Sequence, residues 1–275
     1  MIPPRLQKGI GNTLCYHSIF NYDLTSLETY RYLIGESGSR EEIASSQISH
    51  GNYDYEKQTQ RRLDAWLLIA KAQSVINKII RYLPNIMLVA VSGGTGALDS
   101  KDNSDIDLFV ICKPHTKWLT RASLLIYFRL SNQLVNTTFH NNQNHGRFCV
   151  NLIIEDIPEE LNQTEQDLYT CMEIAHLKVV FNRQHSFQRF INANAWIANF
   201  LPNWWTITQR EWELNSDREK LPQQPRLFIV LINFGLRLVQ QTYYQLRHHR
   251  KLSTRNFIYD YRNEILSKYN EISVK

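Results

Sequence analysis

Between residues 57 and 82 the apolar positions Leu63, Leu67, Ala70, Ile76 and Ile80 recur at three- to six-residue steps. That period predicts one long amphipathic helix, ending before Pro84. The pattern then changes. "IMLVAV" (86–91) is a continuous apolar run of the kind found in strands buried on both faces, "DIDLFVI" (105–111) predicts a second strand and "RFCVNLIIE" (147–155) a third. Between the last two, "WLTRASLLIYFRLSNQLV" reads as a helix. The order helix, strand, turn, strand, helix, strand defines an α/β (α+β) layer with a mixed sheet. Residues 164–181, opened by Thr164 and Asp167, and residues 186–200 are expected to be further helices, and 202–275 a helical, tryptophan-bearing region.

Upstream, residues 10–56 read as short helices and turns, two of them opened by capping boxes, Thr25 with Glu28 and Ser39 with Glu42. "SHGNYDYEKQ" follows, with a Gly-Asn turn and Tyr53 two residues before Tyr55, which suits a small β-wing. This order resembles a winged helix-turn-helix; the alternative is a helical cap packed on the main domain. Arg40 stands against Glu41 and Glu42 on the candidate recognition helix, whereas groove-reading helices usually carry a positive balance. Three regions result: 1–56 winged-helix-like, 57–201 the α/β core, and 202–275 helical.

At 275 residues and 43% hydrophobic the chain can bury a sizeable core. Its net charge of +5 is uneven, since residues 1–201 hold 19 basic and 19 acidic residues. All the excess therefore lies near the C-terminus. Four scattered cysteines without a CxxC pair, and a start "MIPPRLQKG" without an apolar leader core, point to a reducing cytoplasm. The most apolar segments fall short of the ~20 residues that span a bilayer, so no membrane partner is expected.

The chemistry concentrates in "VSGGTGALDSKDNSDIDLFVI" (91–111). Side chains two apart on a strand point to one face, so Asp105 and Asp107, about 7 Å apart along the backbone, converge on one point. Such paired carboxylates suit Mg²⁺, or Mn²⁺, which takes oxygen ligands and keeps positions for water and phosphates. Gly93, Gly94 and Gly96 let backbone N–H groups approach phosphate oxygens, and Ser92 and Thr95 offer hydroxyl donors. The Gly93–Gly94 turn followed by Ser104-Asp105-Ile106-Asp107-Leu108 resembles the signature of the DNA-polymerase-β-type nucleotidyltransferase superfamily, tightly over about 20 residues and by element order over 60–155. "DLYTCMEIAHLK" and "FINANAWIANFLPN" resemble, more loosely, bacterial proteins that join a winged helix, this core and a helical tail.

The resemblance implies a metal-dependent enzyme that moves a nucleoside monophosphate from a nucleoside triphosphate to an acceptor. The acceptor, a small molecule, a protein or an RNA, is not identified by it. It also implies a third acidic residue on a neighbouring strand, where this chain has Asn151. By the period of two, Cys149, Asn151, Ile153 and Glu155 are expected on one face, with Asn151 beside the aspartates and Glu155 about 13 Å further along. An amide oxygen ligates without adding charge. Two readings follow: an enzyme with an easily activated acceptor, or a non-catalytic nucleotide-sensing or nucleic-acid-binding protein.

Further phosphate-contact candidates are Lys101, Ser104 and Arg147, with Lys113 beyond the aspartate strand. His140 and His145 lie in a polar loop. Leu168, Cys171, Met172, Ala175 and His176 form a helix stripe expected in the core. Residues 226–255 carry six basic residues and no acid, with Tyr243 and Tyr244 among them. That composition suits either nucleic acid or a packed helix whose basic end complements its dipole.

Overall fold

In the computed structural model, residues 2–46, 54–135, 144–156, 165–212, 226–248 and 261–273 are described. Three helices open the chain, α1 (Pro4–Ser18), α2 (Ser26–Arg31) and α3 (Arg40–Ala44), followed by the long α4 (Tyr55–Ile79). Both expected capping boxes form: Thr25 caps α2 with Glu28, and Ser39 caps α3 with Glu42. The glycine-rich turn winds into one helical turn, α5 (Gly93–Gly96), between β1 (Ile86–Ser92) and β2 (Ile106–Cys112). Then come α6 (Lys117–Leu130), β3 (Phe148–Glu155), α7 (Leu168–Ala175), β4 (Lys178–Asn182), α8 (Ser186–Asn192), α9 (Pro202–Glu211), α10 (Leu227–His248) and α11 (Arg262–Ser273).

The four strands form one mixed sheet in the order β3-β2-β1-β4; β1 runs antiparallel to β2 and β4, and β2 parallel to β3. Strand β4 corrects the expectation of a helix over 164–181. The helix stops at Ala175, and "KVVFN" turns out as an edge strand on β1. Adjacent β-branched Val179 and Val180 favour the extended backbone once a neighbouring strand supplies hydrogen bonds.

Each sheet face has its own core. On one face α4 and α6 cover Val89, Val91, Leu108, Val110, Phe148 and Val150. On the other, Leu88, Ala90, Phe109 and Ile111 pack with Tyr16, Tyr22 and Tyr32 of the N-terminal region, with α7 and α8, and with Ile265 of α11. This second core crosses the lines drawn at 56/57 and 201/202. The N-terminal helices thus lie on the sheet as a cap; the expected wing at Gly51 and Tyr53 falls outside the described residues, and Tyr55 begins α4.

Helix α4 buries Ala65, Leu68, Ile69, Ala72, Ile76 and Ile79, while Leu63 and Leu67 of the expected stripe, with Trp66, face outward. Its middle is apolar nearly all round, so the period admits two faces and the sheet selects one. Helix α10 rests on α6 through Asn233, which accepts hydrogen bonds from the backbone N–H groups of Trp118 and Leu119, and through Gln240, which bonds Arg121 and the Trp118 carbonyl. Its exposed side is apolar, including Leu231, Phe234, Leu238 and Val239. Arg250, Lys251 and Arg255 of the basic stretch lie outside the described residues. Among the described residues no helix is long and apolar enough to cross a membrane.

Candidate functional site

Asp107 sits near the start of β2, paired across to Ser92 on β1 and to Cys149 on β3. Paired residues on adjacent strands share a face, so Ser92, Asp107 and Cys149 form a row across the sheet. Asp105 lies two residues earlier. One carboxylate oxygen each from Asp105 and Asp107 and the Cys149 sulfur lie within 4.8 Å of one another. The expected convergence of the two aspartates is therefore present, and the third member of the group is a thiol.

Asn151, expected beside the aspartates, is not their cross-strand partner; Asp107 pairs with Cys149. The register of β2 on β3 runs Leu108 to Val150 and then Phe109 to Leu152, so a bulge leaves Asn151 without a partner. The bulge also switches the strand's alternation. Ile153 packs in the core under α4 and α6, whereas Leu152 and Ile154 pack on the opposite face. Cys149, Ile153 and Glu155 consequently do not share one face, because period-two reasoning fails wherever an extra residue is inserted.

The glycine turn is fitted to the carboxylates. Gly93 has φ +62°, and a Cβ there would stand 2.6 Å from Asp107 Oδ2, so any side chain would be both strained and in collision. At Gly96 a Cβ would meet the carbonyl oxygens of Val91 at 2.7 Å and of His176 at 3.1 Å. The turn is thus wedged between β1 and the C-terminal end of α7, while Gly94 is exposed. Ser92 and Thr95 hold the turn to the aspartate strand: Ser92 Oγ donates to the Asp107 carbonyl at 3.4 Å and Thr95 Oγ1 to the Asp105 carbonyl at 2.8 Å. Both side chains are buried, so these hydroxyls position the strand.

The remaining candidates are spread out. Ser104 Oγ accepts the Lys101 N–H and closes the 101–104 turn. Lys101 is exposed with its ammonium 3.9 Å from Asp99, a carboxylate already paired to Arg61 at 3.0 Å. Arg147 immediately precedes β3 at the same sheet end as Asp105, but its guanidinium donates to Asn132 and to the Leu134 carbonyl. Lys113 lies past the opposite end of β2, about 20 Å from Asp107 at the usual strand rise. His145 is exposed and His140 lies outside the described residues.

The sequence reading missed Cys149 as a site residue and missed Glu173 altogether. Glu173 is half-buried on α7, one helical turn before the His176 carbonyl that touches the glycine turn, and its charge raises the Asp107 carboxyl. The available signal was a lone acid in the apolar helix "LYTCMEIA". Burial pushes the Glu173 carboxyl up to about 7. Asp107 is raised by burial, then by Asp105, against a smaller lowering from the Cys149 hydrogen bond; Asp105 is raised by burial. Among the described residues no ion pair involves Asp105, Asp107 or Glu173. On the cap side, burial lowers His17 to about 4 and depresses His176 strongly, so both are neutral rings beside Tyr32.

Fold and site together define a mixed α/β protein with a carboxylate and thiol cluster at one end of its sheet, pressed against a glycine turn. No protein-family model, no curated protein and no solved structure matches the chain.

Proposed function

We propose that the chain is a cation-dependent nucleotidyltransferase with a polymerase-β-type core, transferring a nucleoside monophosphate from a nucleoside triphosphate to an acceptor. The observation that carries this reading is the pair Asp105 and Asp107, converging beside Gly93 and Gly94 with no cationic partner among the described residues. Raised, unpaired carboxylates are costly to bury, and the cost is offset when a divalent cation and its phosphates complete the site. The residues fit such a group. Asp105 and Asp107 would hold the cation, which when bound supplies neutralisation of triphosphate charge. Gly93 keeps the turn against Asp107 because only glycine fits there, and exposed Gly94 leaves the backbone open to a phosphate. Ser92 and Thr95 fix the turn and strand as one unit. Glu173, raised to about 7, has the proton affinity suited to accepting a proton from an acceptor group near neutral pH.

The test is pyrophosphate release from each of the four nucleoside triphosphates with Mg²⁺ or Mn²⁺ against a panel of hydroxyl, amine, phosphate, protein and RNA acceptors. Release by wild type that Asp105→Asn and Asp107→Asn both lose supports the reading; equal release by all three proteins sinks it. Saturable triphosphate binding without release from any acceptor would assign the site to a non-catalytic sensor instead.

A further inference from the structure

We propose that the cation this site selects is a thiophilic divalent ion of the zinc class, with the Cys149 sulfur as a ligand beside Asp105 and Asp107. The inference rests on reading the site as cation-binding, and it specifies the cation and a ligand that the sequence pattern does not suggest. Metal–ligand distances of about 2.0–2.2 Å for carboxylate oxygen and about 2.3 Å for thiolate sulfur place ligand atoms somewhat under 4 Å apart around one ion. Three donor atoms already within 4.8 Å of one another reach that spacing by small side-chain rotations. The register holds the sulfur there: Cys149 pairs directly with Asp107, and the bulge begins only after Val150.

Glu173 supplies an independent observation. It is an acid from a different element, it has neither a hydrogen bond nor an ion pair among the described residues, and Asp107 feels its charge. Asp105 and Asp107 therefore flank a position with no paired cation among the described residues, and Glu173 adds its field from α7. A hard ion such as Mg²⁺ prefers an all-oxygen set and keeps its waters, whereas a thiolate donor shifts preference toward Zn²⁺, Co²⁺ and Cd²⁺. Binding exchanges one bond for another without electron transfer: the Cys149 S–H proton leaves to solvent, its hydrogen bond to Asp107 is lost, and a sulfur–metal bond forms. The other cysteines are placed elsewhere. Cys112 packs under α4 and α6 on the opposite face, Cys171 is a buried residue of α7 whose thiol faces the Ile197 carbonyl, and Cys15 is on α1.

Co²⁺ titrated into the metal-free, full-length protein tests this by absorption. The expected result is one ion bound and a near-ultraviolet sulfur-to-cobalt charge-transfer band. Cys149→Ser keeps the size and a polar donor; it should remove the band and weaken Co²⁺ binding about 10- to 100-fold, with circular dichroism showing an unchanged fold. A Co²⁺ complex without the band, or a band that survives Cys149→Ser, overturns the ligand assignment. If Mg²⁺-supported pyrophosphate release accompanies that outcome, the proposed activity stands alone. A Cys149-dependent band in a protein that releases no pyrophosphate leaves the cation site standing and overturns the activity.

Discussion

Acids lie near both ends of the strand pair β2–β3, one buried acid at one end and a half-buried group at the other, and the two ends are treated in opposite ways. Past the C-terminal end, Asp156 is buried and fully engaged: both its oxygens accept from the Arg189 guanidinium, Ser186 Oγ donates to it at 3.2 Å, and its N–H donates to the Cys112 carbonyl. Near the N-terminal end, Asp105, Asp107 and Glu173 have no ion pair among the described residues, and burial raises all three carboxyls. A charge used to join β3 to α8 comes with its counter-charge. A raised charge without a counter-charge is the kind of group found at functional sites, and it is the feature on which the proposed function rests.

The comparison breaks first at the paired end. Arg189→Met should destabilise the protein by about 3–5 kcal/mol, because it leaves Asp156 buried and uncompensated. Urea unfolding measures this, and the double variant Arg189→Met with Asp156→Leu should recover most of the loss. At the other end the effect falls on activity. Asp107→Asn should lower pyrophosphate release on the order of 10²- to 10³-fold without lowering the metal-free midpoint, since it removes a repelled charge. Asn151→Asp should leave cation affinity nearly unchanged, whereas Cys149→Asp should strengthen Mg²⁺ binding, as equilibrium titration would show. A larger response at Asn151 would mean that its side chain reaches the cation.

Glu173→Gln sharpens the contrast through pH. The folded carboxyl is raised to about 7 from an ordinary 4.5, so the fold binds that proton more tightly than the unfolded chain. Its stabilising contribution is complete below pH 4.5 and is lost as pH rises through 7. Metal-free Glu173→Gln should therefore gain about 1–2 kcal/mol over wild type at pH 8, a figure reduced because the side chain is only half-buried, and the gain should vanish near pH 4. His17 works in the opposite sense: lowered to about 4, it costs stability as pH falls from 6.5 through 4, so the difference between variant and wild type isolates Glu173. The smallest effect is expected at the surface, where Arg31 pairs with Glu211 at 2.7 Å and links α2 to α9. Arg31→Ala should change the unfolding free energy by only about 0.2–1 kcal/mol, and less in high salt.

The sequence by itself determined what depends on near neighbours along the chain. Capping boxes at Thr25 and Ser39, strands β1 to β3, the glycine turn and the shared face of Asp105 and Asp107 follow from spacings of two to four residues, which backbone geometry converts directly into direction. Tertiary structure decided what depends on contacts across the fold. The edge strand β4 forms because β1 offers it hydrogen bonds, and the buried face of α4 is set by the sheet beneath it. Cys149 stands opposite Asp107 because of the register of β3 on β2, which no spacing within one strand dictates. Glu173 is 66 positions beyond Asp107 in the chain and reaches its field through the packing of α7 against the glycine turn. Spacing fixes which residues of one strand point the same way, while register and packing, summed over many non-local contacts, fix what they point at.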